Sequence, residues 1–319
     1  SIGKGWAAVG FTGAASTSIP LPITSGRGYA PSLALNYSSA GGRSEFGQGW
    51  SINRPSISRQ TSQGTPQFEP DSNGKTSEPV YLSLSGDVLL PERTADGQVS
   101  QRIVSSFRDR PLSESYRVSA YRPRVEGDFS TFEHYVGSTD SFWLIQFADG
   151  SVHIYGHSEA ARLQHRGETS TWIAEWYLEE SVAVNGEHVL YEYVAENDVS
   201  LSTLTGPAAV AWQGRDTGTH RYLRRIRYGN LTGDRAPYVL QKTGTPVWLF
   251  DLIFDYGEAD SRLDIRPHYP QTTGEQWPLR ADPISSYRYG FEERTLRLCH
   301  QVLMFHWCAS GPDDTGPVL

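Results

Sequence analysis

Between Ile19 and Trp50 the chain reads IPLPITSGRGYAPSLALNYSSAGGRSEFGQGW, and this stretch leaves few folds open. Two short apolar segments, Ile19–Ile23 and Leu33–Tyr37, precede a glycine-rich loop that closes on Phe46, Gly47, Gly49 and Trp50. Leu33, Leu35 and Tyr37 alternate with Ser32, Ala34 and Asn36, the period of a half-buried strand. The loop needs tight backbone paths that residues with a Cβ resist. The stretch therefore predicts strand, turn, strand, tight loop and an aromatic anchor, with Gly26–Gly28 and Gly41–Gly49 in close turns and Trp50 buried. It contains no chemistry.

The rest of the chain repeats this short-strand grammar. Strands are expected at Val80–Leu84, Val88–Leu90, Tyr116–Tyr121, Thr131–Val136, Phe142–Phe147 and Val152–Tyr155. Further ones are expected at Trp172–Val184, His188–Val194, Arg221–Tyr228, Trp248–Tyr256, Ser286–Phe291 and Leu296–Trp307. Asp149-Gly150 and Asn185-Gly186 mark hairpins, the second of the kind in which both central residues take positive φ. Pro55 places the segment from Ile52 to Ile57 at an edge or bend. One helix of about two turns is expected at His157–Gln164, with Ser158 as N-cap. Residues 59–79, 91–115 and 257–285 read as loop, and residues 1–18 as flexible or a first irregular strand. The expected fold class is all-β, mostly antiparallel strands and hairpins, in two packed sheets or part of a β shell. One module spans 1–319.

Nine tryptophans, 17 tyrosines, 31 glycines and one methionine suit sheets and turns better than helices. The net charge of −8 argues against general nucleic-acid binding, leaving only a local patch at Arg221, Arg224, Arg225 and Arg227. Two cysteines, Cys299 and Cys308, do not make a disulfide scaffold. No apolar run approaches the roughly 20 residues of a membrane span, and the first residues make a poor signal peptide. Starting at Ser1 and stopping at Leu319, the chain reads as a fragment of a larger protein.

Each tempting constellation has a plainer reading. Gly26-Arg-Gly28 and Gly47-Gln-Gly49 lack the third glycine and the following helix of a phosphate loop, so they read as turns. Ser16-Thr17-Ser18 resembles the triplet of an ADP-ribosyltransferase, but the chain has no Glu-x-Glu, and the triplet reads as a β-edge segment. Glu179-Glu180 and Glu292-Glu293 are adjacent, so on a strand they face opposite ways. Cys299-His300 and His306-x-Cys308 have the wrong spacing for a zinc knuckle and read as packing. His153 and His157 read as solvated. Asp251, Asp255, Glu258, Asp260 and Asp264 read as a solvated strand end and acidic loop, against the paired carboxylates of a glycosidase. The arginines at 221–227 read as a sheet face pairing with acidic neighbours, and Trp143, Trp172, Trp176, Trp212 and Trp248 as core rather than a sugar platform. No catalytic, cofactor-binding or metal-ligating residue is assigned, no cofactor is expected, and the chain is expected not to be an enzyme.

Thr12–Ser16, Ile19–Ile23, Gly26–Pro31, Leu33–Leu35, Tyr37–Ser39, Gly41-Gly42, Phe46-Gly47 and Gly49-Trp50 together resemble the N-terminal module of the SpvB family. The same residues are similar to the SpvB-like start of the B component of Tc insecticidal toxin complexes. Tyr121–Arg124, Leu178–Val182, Gly186–His188, Arg225–Asn230, Phe254–Glu258 and Gln301–His306 extend the resemblance over nearly the whole chain. The resemblance implies a scaffold or delivery module of a secreted virulence toxin, with any ADP-ribosyltransferase in a separate C-terminal domain. It implies as partners the chain's own C-terminal toxin domain or other toxin-complex subunits. A host glycan- or protein-binding module is the alternative.

Overall fold

The structure, a computed structural model, describes residues 7–9, 13–124, 130–138, 140–167, 170–197, 200–201, 219–241, 246–258, 277–307 and 317–318. Its strands in chain order are β1 Ala7–Val9, β2 Ala14–Pro20, β3 Ala34–Ser38, β4 Arg43–Ser44, β5 Gly47–Gln48, β6 Trp50–Ile52, β7 Ser56–Arg59 and β8 Tyr81–Leu82. There follow β9 Val88–Pro91, β10 Arg102–Phe107, β11 Arg110–Pro123, β12 Thr131–Val136, β13 Ser141–Gln146, β14 Val152–Tyr155, β15 Arg162–Arg166 and β16 Thr171–Val182. The last are β17 His188–Ala195, β18 Arg221–Asn230, β19 Trp248–Asp255, β20 Ile284–Ser286, β21 Glu293–Thr295, β22 Gln301–Trp307 and β23 Pro317–Val318. Among the described residues the one α-helix, α1, covers the four residues Tyr238–Gln241. The fold is all-β and antiparallel.

One sheet dominates. Strands β14-β13-β12-β11-β9-β8-β7-β16 follow one another, and β14 pairs again with β16, so these strands close into a barrel. From β16 the sheet runs on as β17-β18-β19-β22-β23. Long β16 makes this fork: its first half pairs with β15 and β7, its second with β14 and β17. Closure removes the unpaired edges that an eight-strand sheet would otherwise present.

Strands β12, β13 and β14 and the second half of β16 are buried on both faces, which explains their apolar runs without alternation, whereas β11 keeps exposed residues along one side. On β13, Trp143 and Ile145 point into the main core, while Phe142 and Leu144 join a second cluster with Tyr116, Tyr135, Val152, Ile154 and Leu240 of α1. Inside, Tyr81, Tyr121, His134, Trp143 and Trp176 pack ring against ring, with His134 stacked on Trp143 at 4.4 Å and 9°.

The opening stretch forms a separate four-stranded sheet, β1-β2-β3-β6, with the β4–β5 hairpin hanging from it. It docks on the extension. The Tyr228 hydroxyl donates to Thr24 O (2.6 Å), Cys299 N–H to Glu45 O (2.7 Å) and Arg280 Nη1 to Ser44 O (2.7 Å). Phe46 meets Phe254 edge-on.

Several expectations need correction. His157–Gln164 is not a helix: a single 3-10 turn, Glu159–Ala161, leads into β15. Pairing with β16 and burial of Ala161 and Leu163 outweigh the weak local helix preference, and Ser158 makes no side-chain cap. Residues 91–115 are not mostly loop. They hold the β10–β11 hairpin, which turns on Arg108 and Asp109, both at positive φ, without any glycine to announce it. Ser286–Phe291 is not one strand but the turn between β20 and β21. The Asp149-Gly150 and Asn185-Gly186 hairpins exist, but in each only the glycine has positive φ (82° and 83°). Each is a type I turn followed by a left-handed glycine, a three-residue loop. Trp50 is half-buried rather than buried, tilted against Tyr37 at 5.0 Å.

The close turns of the opening loop are as expected at Gly49, whose φ is 76° and where a Cβ would lie 2.6 Å from Ser38 O. Ser16-Thr17-Ser18 lies in β2, and Ser16 has a neighbour on each side, so it is not simply an edge.

Candidate functional site

The extension holds most of the buried charge. Arg297 and Glu196, both fully buried, pair at 3.0 Å. Arg297 Nη1 also donates to Trp277 O, and Tyr222 OH and Leu296 N–H both donate to Glu196 Oε2. Glu180, fully buried, accepts from His188 Nδ1 (2.6 Å) and from the backbone of Tyr238 and Val239 at the start of α1. A bulge explains the irregular arginine pattern of β18: Glu192 faces Arg225 and Tyr193 faces Leu223, so Arg224 is the extra residue. It reaches Glu258 at 2.9 Å and Phe254 O. Arg225 pairs with Asp251, and Arg227 with Glu192. Arg225 and Arg227 thus form interstrand ion pairs, Arg224 pairs with a loop carboxylate and Arg221 donates to backbone carbonyls, so the arginine group is taken up within the fold.

The acidic cluster is not solvated where it is described. Asp251 and Asp255 are each 2% exposed. Asp251 takes Arg225 and Trp307 Nε1, while Asp255 takes Gln301 Nε2 and the N–H groups of Gly257 and Glu258. These carboxylates are spent on the fold, which removes the glycosidase reading for them; Asp260 and Asp264 lie outside the described residues. Glu179 and Glu180 do face apart, Glu179 accepting from Ser158 N–H, and burial pushes the Glu179 carboxyl up. Glu292 accepts from Arg294 and Ser285, which hold it down at about 2 against the opposing effect of desolvation, while Glu293 takes His220.

His153 is not solvated either. It is half-buried beside Phe147 and Tyr155, and desolvation lowers it to about 4. Cys299 is partly buried, its thiol pushed up to about 12 by burial, and its Sγ–H points to Gln301 O; Cys308 lies outside the described residues. Among the described residues no group of three His, Cys, Asp or Glu side chains could hold a metal. Trp143, Trp176 and Trp248 are core, Trp172 is half-buried and stacked on Phe68, and Trp212 lies outside the described residues.

What the sequence did not single out is a cavity of about 260 Å³ where the opening hairpin meets the barrel rim. Its walls come from residues 44–46, 51–54 and 56, with Glu175 of β16 and Leu223 of β18. Arg54 lies 3.9 Å over the Tyr177 ring, donates through Nη1 to Arg221 O (2.9 Å) and stands 3.9 Å from Glu45. Glu175 Oε1 accepts from the Tyr289 hydroxyl and lies 3.6 Å from Arg288. No local motif marks this site, because Glu175 and Leu223 stand more than a hundred residues from the opening stretch that supplies its other walls.

Comparisons with known proteins place this fold. A family profile described as "Salmonella virulence plasmid 65kDa B protein" matches residues 9–308. The chain belongs to the SpvB family. It is 40% identical over 318 residues to the mono(ADP-ribosyl)transferase SpvB of Salmonella typhimurium, covering 98% of this chain. It spans about half the length of the curated relatives it matches, 51% in that case. The N-terminal domain of effector protein SpvB from Salmonella typhimurium strain LT2 superposes with a TM-score of 0.80 at 39% identity, covering 94% of this chain and 90% of that one. A crystal structure of TcdB2-TccC3 matches at TM-score 0.81 and 36% identity, over 98% of this chain and 14% of that chain. The Photorhabdus luminescens Tc holotoxin pore matches at 0.80 and 36%, over 99% and 14%.

Proposed function

We propose that this chain is a non-catalytic scaffold and delivery module of a secreted bacterial virulence toxin, and that catalysis belongs to another part of its parent. The observation that carries this reading is the reuse of one domain. The same fold, at 36–39% identity, makes up the N-terminal domain of an effector and 14% of a much longer toxin-complex chain. A domain shared by such different contexts serves what they have in common, which is holding and delivering a toxic segment. The arrangement of charge supports this: the buried acids and histidines of the extension are spent on pairs that tie strands to loops and to one another, a use of ionisable groups that pins a sheet rather than turns over a substrate. The partners proposed are the parent's own C-terminal domain or further toxin subunits.

The test is direct. The purified chain, incubated with NAD⁺ with and without host-cell lysate, is expected to release no nicotinamide and to transfer no ADP-ribose, while the parent containing its C-terminal half does both. Turnover by the chain alone would overturn the proposal.

A further inference from the structure

The cavity at the barrel rim is polar, and the fold leaves much of its hydrogen-bonding capacity unused. Among the described residues, the Asn53 amide and the Ser51 and Ser56 hydroxyls have no hydrogen-bond partner in the protein, and Glu175 engages only Oε1. Arg54 donates once, through Nη1, and touches Glu45 only at ion-pair range. We propose that this cavity binds an uncharged polyhydroxylated ring, a single pyranose unit of a glycan. This goes beyond the scaffold reading and does not depend on it.

Three features select that chemistry. First, a sugar hydroxyl both donates and accepts, so its site must offer both kinds of group side by side. Arg54 and the Asn53 NH₂ donate; Glu45, Glu175 and the Asn53 carbonyl accept. Second, charge is nearly balanced: Arg54 stands against Glu45 within the lining, and Arg288, just outside it, lies 3.6 Å from Glu175, so a small ion gains little from the site. Third, about 260 Å³ lies below the roughly 300–1,000 Å³ of pockets for drug-sized ligands, which limits the occupant to about one ring. Phe46, Ile52 and Leu223 supply an apolar wall for the C–H face of that ring. Arg54 is preorganised for the task by its stack on Tyr177 and its bond to Arg221 O, so little side-chain freedom is lost on binding.

The experiment is ligand-observed NMR on the whole chain with the methyl glycosides of glucose, galactose, mannose and N-acetylglucosamine, beside sialic acid, glucosamine and arginine as charged probes. At least one neutral glycoside is expected to bind saturably, with a dissociation constant on the order of 1 mM. Asn53→Ala, whose side chain supports nothing in the fold, is expected to weaken it about tenfold, as is the isosteric Glu175→Gln, a loss of about 1.4 kcal/mol each. Circular dichroism and thermal melts verify that both variants fold. No saturable binding by any neutral glycoside overturns the proposal. So does binding that both variants leave unchanged, since it then occurs elsewhere, and so does preference for a charged probe over every neutral one. A chain that binds a glycoside and also turns over NAD⁺ would overturn only the scaffold reading.

Discussion

The barrel and the sheet that leaves it are one continuous hydrogen-bonded surface, yet different forces hold them. The barrel packs by rings: Trp143 alone lies against Tyr81, Tyr121, His134 and Trp176 at 4.4–6.2 Å. The extension packs rings too, Tyr222, Tyr256 and Trp277 among them, but adds buried charge, with Arg297–Glu196, Arg224–Glu258, Arg225–Asp251 and His188–Glu180 bridging strands and loops under cover. The contrast has a geometric cause. A closed sheet encloses its own interior, and bulky rings fill it, needing few polar partners such as Ser141, which takes Trp176 Nε1 at its carbonyl and His134 Nε2 at its hydroxyl. An open sheet must be pinned to the loops and small sheets laid over it, and paired charges do this with directional bonds. Register and partner choice, rather than raw stability, are what such pairs supply.

Breaking a single charge tests this first. Arg297→Met leaves Glu196 buried without its cation and is expected to cost about 3–5 kcal/mol in urea unfolding. Adding Glu196→Gln should return part of that loss, because the stranded charge is gone; no recovery would mean that the pair matters through packing alone. In the barrel, Trp143→Ala is expected to cost a similar amount, about 3–5 kcal/mol, but with no partner substitution able to restore it.

Acid should separate the two regions next. Burial holds His134 down at about 3, from an ordinary 6.5. At neutral pH it is uncharged in both states and costs nothing. As pH falls below 6.5 the unfolded chain takes up a proton that the folded barrel refuses. Stability is therefore lost between 6.5 and about 3, at about 1.4 kcal/mol per pH unit. Glu292 behaves differently: its contribution is complete above 4.5 and fades only as pH falls toward about 2. His134→Gln should therefore flatten the unfolding free energy between pH 6.5 and 4.5, and an unchanged slope would clear His134 of that role.

Smaller effects sharpen the picture at the margins. Gly49→Ala meets both a positive φ of 76° and a contact of 2.6 Å with Ser38 O, so a loss of about 1–3 kcal/mol is expected. Arg93→Ala breaks an ion pair that is nearly half exposed, and its thermal shift should correspond to less than about 1 kcal/mol.

Much of the barrel was legible because its strands carry local signals. Thr131–Val136 and Val152–Tyr155 have the bounds that their apolar patterns predict, and Asp149-Gly150 and Asn185-Gly186 sit at real hairpins. The β10–β11 hairpin was not legible, since Arg108 and Asp109 carry no turn signature strong enough to read. Nor was β15, where pairing with β16 decided against a helix. The cavity was legible in none of its parts: Asn53 and Arg54 read as the flank of a proline bend, and Glu175 as one more strand residue.

The sequence by itself determined the all-β class, the main turns and the family, because glycine placement and two-residue alternation act within a few residues. Tertiary structure alone decided that β14 returns to β16 to close a barrel, that the Asp251 and Asp255 carboxylates are buried, and that Glu45, Arg54 and Glu175 share one cavity. Those outcomes depend on which distant strands meet and how far each charge is withdrawn from water, and no local pattern encodes either.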